Sequence, residues 1–157
     1  MELCYNFPGT VGRMVFALME TFLILALDTA TRVAGLALYD GRRLWNEEIW
    51  WTKQQHTVEM LPRVDQALRG MGLTPADLKG VAVAIGPGSF TGLRSGLSLA
   101  KGLAMAGALP IVGIPTLDVV AYPHRLQPLP VCAVVEAGRG RLCWGFYTWR
   151  EGRWLSA

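Results

Sequence analysis

The sequence predicts an α/β fold in which a mixed sheet is covered by helices. Three strand-like segments follow one another before any helical period begins, and helix and strand alternate thereafter. A third observation concerns organisation. After a proline-rich stretch, the opening pattern of apolar strand, acid, tyrosine and acid–glycine pair returns.

The elements follow in order. Phe22–Leu27 is a continuous apolar run closed by Asp28, which reads as a buried strand. Val33–Tyr39 and Leu44–Trp51 flank Asp40-Gly41, a strong hairpin signal. Mixed alternation in the third segment, Trp45, Glu47, Ile49 and Trp51 against Leu44, Asn46, Glu48 and Trp50, places it near a sheet edge. From Thr57 to about Met71 the chain is helical, with Met60, Leu61, Val64, Leu68 and Met71 forming one apolar stripe. Pro62 lies inside that stripe, so the helix begins later than Thr57 or kinks there. Val81–Ile85 reads as a second buried strand, Leu93 to about Ala106 as a second helix, and Pro110–Ile114 as a third buried strand. Thr116 is expected to cap a short helix reaching about Tyr122, with Asp118 in its first turn.

These segments are expected to divide the chain into residues 1–18, an upstream extension before a further methionine, Met19; residues 19–122, one complete lobe; residues 123–130, a linker holding three prolines; and residues 131–157, the first strands of a truncated second lobe. In the second unit Glu136 stands where Asp28 stood, Tyr147 where Tyr39 stood, and Glu151-Gly152 where Asp40-Gly41 stood.

Composition excludes several classes. With 52% apolar and 17% charged residues, the chain has the means to build a core and is not intrinsically disordered. Its net charge of +3 comes mostly from scattered arginines, without the basic, aromatic-interleaved stripe of a dedicated nucleic-acid binder. Cys4, Cys132 and Cys143 have no CxxC spacing, which argues against a disulfide framework or a structural zinc site and for a reducing, cytoplasmic setting. The apolar run at 14–27 is interrupted by Glu20 and is too short to span a bilayer. His56 and His124 form neither an HxxxH nor an HExxH pair, so no metal site is expected, and a helix-capping or surface role suits His56. No nucleophile–base order presents itself, so no catalytic residue is expected.

Three constellations remain. Gly86-Pro-Gly-Ser-Phe-Thr-Gly92 precedes a helix; with Gly86, Gly88, Ser89, Thr91 and Gly92 it reads either as a phosphate-facing or partner-facing loop, or as a tight turn with a Ser or Thr cap. It lacks the Gly-Lys-Ser/Thr ending of a Walker loop. Gly92, Gly96, Ala100 and Ala104 recur every fourth residue, and Gly96 and Gly102 each cost the helix about 1 kcal/mol against Ala. Close approach by another element is the plausible gain, either the chain's own sheet or another subunit. Asp28 and Glu136 close equivalent strands, which suits carboxylates facing a metal–phosphate cleft or simple turn caps.

The runs LALDTATRVAGLALYDG (25–41), HTVEMLP (56–62), VAVAIGPGSFTGLRSGLSLAKGLA (81–104) and IVGIPTLDVVA (111–121) together resemble the TsaB (YeaZ) family. The resemblance covers about residues 19–157, and GPGSFTGLR is its most specific block. It implies an actin/Hsp70-like (RNase H-like) two-lobed fold and a role as the non-catalytic subunit of the machinery that makes N6-threonylcarbamoyladenosine at position 37 of tRNAs reading ANN codons. It implies a TsaD-like transferase as dimer partner, a second copy in its absence, and a TsaE-like ATPase. Cofactors of its own are not implied; ATP is used by the partner complex, and tRNA is reached only through it. The dimer surface falls on the helices at about 57–71 and 93–106, with Met60, Leu61, Val64, Leu68, Leu93, Gly96, Leu97, Ala100 and Ala104 as interface residues. The second lobe opens Glu136-Ala-Gly-Arg139 where the family usually has Asp-Ala-Arg, and the chain stops short of a usual second lobe. The rival reading is an enzyme of the same fold, a nucleotide-dependent phosphotransferase or a glycoprotease-like hydrolase.

Overall fold

The computed structural model describes residues 22–52, 56–150 and 153–156, so the upstream extension, Met19 and the Glu151-Gly152 pair lie outside the described residues. Three antiparallel strands open the chain: β1 (Ile24–Asp28), β2 (Val33–Tyr39) and β3 (Leu44–Trp51). Helix α1 (His56–Gly70) and a 3-10 turn (Pro75–Asp77) lead to β4 (Gly80–Gly86), parallel to β1. Helix α2 (Phe90–Gly107) returns to β5 (Ile111–Pro115), parallel to β4. The sheet order is β3-β2-β1-β4-β5.

Burial on this sheet follows the strand period. Leu25 and Leu27 pair with Leu38 and Leu36 on one side and with Val81 and Val83 on the other, so six aliphatic side chains share one face. Met60, Val64, Ala67 and Leu68 of α1 and Ala100 of α2 close over that face and complete the core. Each fully buried Leu contributes about 2 kcal/mol relative to exposure. That gain holds α1 together across Pro62. The helix starts at His56 rather than later and continues through the proline, which removes only one amide donor near the helix start. The side chains of His56 and Thr57 lie outside the described residues.

Two expectations are corrected. The strand at Pro110–Ile114 was expected to be buried; β5 is instead the edge of the sheet, with Ile111 and Val112 about two-fifths exposed, at 42% and 37%. The reason is the placement of α2, which lies chiefly over β4 rather than β5. Thr116 is not a cap. It is the first residue of α3 (Thr116–Ala121), follows Pro115 at the N-cap position, and buries its hydroxyl without a partner.

Helix α3 packs on a second sheet of β6 (Val131–Glu136), β7 (Leu142–Arg150) and β8 (Arg153–Ser156), all antiparallel in chain order. Ala121, Val131, Ala133 and Tyr147 form its small core. The Tyr147 hydroxyl donates to Asp118 Oδ1 at 2.7 Å. Both sheets therefore open with three consecutive antiparallel strands, the repeat read from the sequence. The outer face of β6–β7 carries Val134, Leu142, Trp144 and Phe146, all exposed.

The β2–β3 turn is fixed by Asp40. Its Oδ1 accepts the amide N–H groups of Arg42 and Arg43 at 2.8 and 2.6 Å, and its Oδ2 accepts the Trp45 indole N–H at 2.8 Å. The indole first, then the two amides, hold the carboxyl at about 2 instead of the ordinary 3.8. Because the folded value is the lower one, the stabilisation is present above 3.8 and is lost as pH falls through about 2. The difference in thermal midpoint between the native chain and Asp40→Asn should therefore shrink across that acid interval and stay constant near neutrality. A difference independent of pH would show that the carboxylate is not the group that fixes the turn.

Candidate functional site

The most specific sequence block, Gly86–Gly92, meets the end of β1. Asp28 Oδ1 accepts the Ala30 N–H at 2.8 Å, closing a tight turn. The Ala30 carbonyl then accepts the Ser89 N–H at 2.7 Å. Thr29, buried, donates its hydroxyl to the Gly92 carbonyl at 2.8 Å. Ser89 is the N-cap of α2, its Oγ accepting the Gly92 N–H at 3.3 Å. Asp28, Gly88, Ser89 and Gly92 are thus brought together around Thr29 and Ala30. Thr91 faces outward, and Gly86 carries the positive φ of 104° that turns the strand into the loop. Of the two readings of this loop, the contacts describe the turn with a serine cap.

The glycines have a steric reason. A Cβ on Gly88 would collide with the Ala30 carbonyl, and one on Gly96 would collide with Thr29 Oγ1. Gly92, Gly96, Ala100 and Ala104 are all buried. The small-residue face therefore serves close approach of α2 to the chain's own sheet.

This corrects part of the expected interface. Met60, Val64, Leu68, Gly96, Ala100 and Ala104 lie in the interior of their own lobe, where no partner reaches them without unfolding it. Their periodicity marked the buried face of each helix, not the free one. Leu93 and Leu97 are half-buried, and Leu61 alone of the set is exposed.

What α1 and α2 present outward is a different set. Leu61, Phe90, Arg94, Ser98 and Leu99, with Thr91 and Ser95, line an open groove of about 540 Å³ between the two helices. Phe90 is 74% exposed, and the Arg94 guanidinium stacks over its ring at 5.2 Å. Further along α2, Lys101, Gly102 and Met105 are exposed. A Cβ on Gly102 would meet nothing within 4 Å, so its helix cost of about 1 kcal/mol has no offset inside the lobe. Sequence reasoning missed Thr29, Phe90, Arg94 and Lys101. For the last three the signal was available as the polar and aromatic positions between the small-residue steps. Among the described residues no cluster of three His, Cys, Asp or Glu side chains is arranged to hold a metal, and no helix is long and apolar enough to cross a membrane.

Comparison with known proteins bears on this geometry. The family model of TsaD, described as tRNA N6-adenosine threonylcarbamoyltransferase, matches residues 51–154. The chain is 35% identical over 129 residues to the tRNA threonylcarbamoyladenosine biosynthesis protein TsaB of Bacillus subtilis, covering 82% of this chain and 56% of that protein. It is 35% identical to TsaB of Escherichia coli, over 79% of this chain and 54% of the relative, and 38% identical to TsaB of Haemophilus influenzae, over 85% and 62%. The solved structure of YeaZ from Pseudomonas aeruginosa superposes with a TM-score of 0.77 at 28% identity, covering 87% of this chain and 64% of that one. The ethanolamine utilization protein EutJ of Carboxydothermus hydrogenoformans, at 12% identity and TM-score 0.51, shares the fold alone. The chain thus spans little more than half the length of these curated relatives. Its mixed sheet with covering helices is of the expected actin/Hsp70-like class.

The two exposed-versus-buried glycines of α2 should respond oppositely to the same change. Gly96→Ala should destabilise the lobe by about 1–3 kcal/mol through overpacking against Thr29, and Gly102→Ala should stabilise it by up to about 1 kcal/mol. Urea denaturation of both variants measures the difference, and equal midpoints would remove the packing role given to Gly96.

Proposed function

The chain belongs to the TsaB (YeaZ) family, and from that membership we propose that it acts as a non-catalytic scaffold and activator subunit in N6-threonylcarbamoyladenosine synthesis on tRNA. It dimerises with a TsaD-like transferase through the outward surface of α1 and α2; without that partner, a second copy takes the place. A TsaE-like ATPase joins them, ATP is consumed by the partner complex rather than by a cofactor site of this chain, and tRNA is met only through the assembly, in the cytoplasm.

The observation that carries this reading is the use to which the Gly86–Gly92 block is put. In this lobe the Ser89 N–H and Oγ, the Thr29 hydroxyl and Asp28 Oδ1 all have partners inside the fold. That suits a block whose task is to hold α2 in place more than one that handles a phosphate. The groove beside Phe90 and Leu61 then offers exposed apolar surface of the kind that marks protein contacts. A phosphotransferase or hydrolase of this fold is the alternative, and none of these contacts favours it.

Co-purification with the TsaD-like protein from the same source, with mass read by light scattering, tests the proposal. A one-to-one complex is expected, and modified tRNA should appear once the ATPase is added. A chain that ignores the partner while binding or turning over nucleotide alone would overturn the scaffold reading in favour of an enzyme.

A further inference from the structure

Resting on the partner reading just given, the outward face of α2 defines what its partner must present. Phe90, Arg94, Ser98, Lys101 and Met105 are exposed and fall on one stripe of the helix. Arg94 and Lys101 are seven positions apart, which places them about two turns, or ~10 Å, apart along the axis. The helix FTGLRSGLSLAKGLAMAG contains no acidic residue. Neither cation has an ion-pair partner among the described residues. Beside them Gly102 leaves open space where a side chain would stand, and the groove between Leu61 and Phe90 has room for an apolar side chain.

We infer that this stripe docks a helix of the transferase partner bearing two carboxylates about two turns apart, opposite Arg94 and Lys101, with an apolar residue in the Phe90 groove and its backbone drawn close at Gly102. The charges also select between partners. A second copy packed isologously across α2 sets Arg94 and Lys101 against their own equivalents, so like charges face each other. Heteromeric pairing is favoured over self-pairing for that reason. Apolar surface and an open glycine beside the cations favour a protein over the phosphates of RNA, which need neither.

The experiment compares the full chain with Arg94→Glu/Lys101→Glu and, separately, Gly102→Leu, measuring affinity for the TsaD-like partner and for unmodified tRNA. All three positions are exposed, so circular dichroism should match the native chain, with the thermal midpoint of Gly102→Leu at or above the native one. Both variants should bind the partner about tenfold or more weakly, and the native affinity should fall with added salt more steeply than that of the double variant. Undiminished partner binding by both variants would overturn the inference while leaving the scaffold proposal intact. Loss of tRNA binding with partner binding unchanged would also overturn it, by assigning the cations to phosphate. Failure of the native chain itself to bind the partner would remove the scaffold proposal, and this inference with it.

Discussion

The contact on which the lobe depends is made by the two residues after β1, where Asp28 folds the chain back so that Thr29 and Ala30 meet the start of α2. A strand end and a helix start that are 63 residues apart in sequence, Thr29 and Gly92, are joined by a buried hydroxyl bond. The Ala30–Ser89 bond lies beside it. Buried hydrogen bonds of this kind contribute about 1 kcal/mol each on balance, but leaving the buried Gly92 carbonyl or Thr29 hydroxyl unpaired costs more. The geometry of α2 over the sheet is set by that asymmetry. Gly96 and Ala100 then let the helix lie close enough for the core leucines of β1 and β2 to be covered.

Once α2 is seated this way, its two faces divide their tasks. The side with the smallest residues is consumed by the lobe, and the side with Phe90, Arg94, Lys101 and Met105 is left to solvent. Helix α1 behaves in the same manner, burying Met60, Val64 and Leu68 and leaving Leu61 outside. The second sheet shows the same division, with Tyr147 and Ala133 turned toward α3 and Trp144 and Phe146 turned away.

The fold was legible in the sequence where a single local signal governed each element. The apolar run before Asp28, the Asp40-Gly41 turn and the all-apolar Val81–Ile85 segment each led to the right strand. The returning pattern after residue 130 led to the second antiparallel sheet. Judgements that depend on neighbours were harder. Nothing in Ile111–Ile114 says that α2 will stop short of covering it, and nothing in the stripe Met60–Leu68 says whether the apolar face meets a sheet or a subunit. The same ambiguity governed the Gly96 face, because a small residue records that something comes close without recording what. Thr29 was overlooked because a buried hydroxyl that bridges distant segments leaves no periodic trace.

The pairing of Thr29 with Gly96 has a further consequence for inheritance. Since any side chain at 96 runs into the hydroxyl of 29, neither position is free to drift alone. A lineage that enlarges residue 96 must first shrink or replace the threonine and find another donor for the Gly92 carbonyl. Among descendants of this lobe the two sites should therefore change together or not at all, and their joint identity becomes a marker of how closely the helix rides on its sheet.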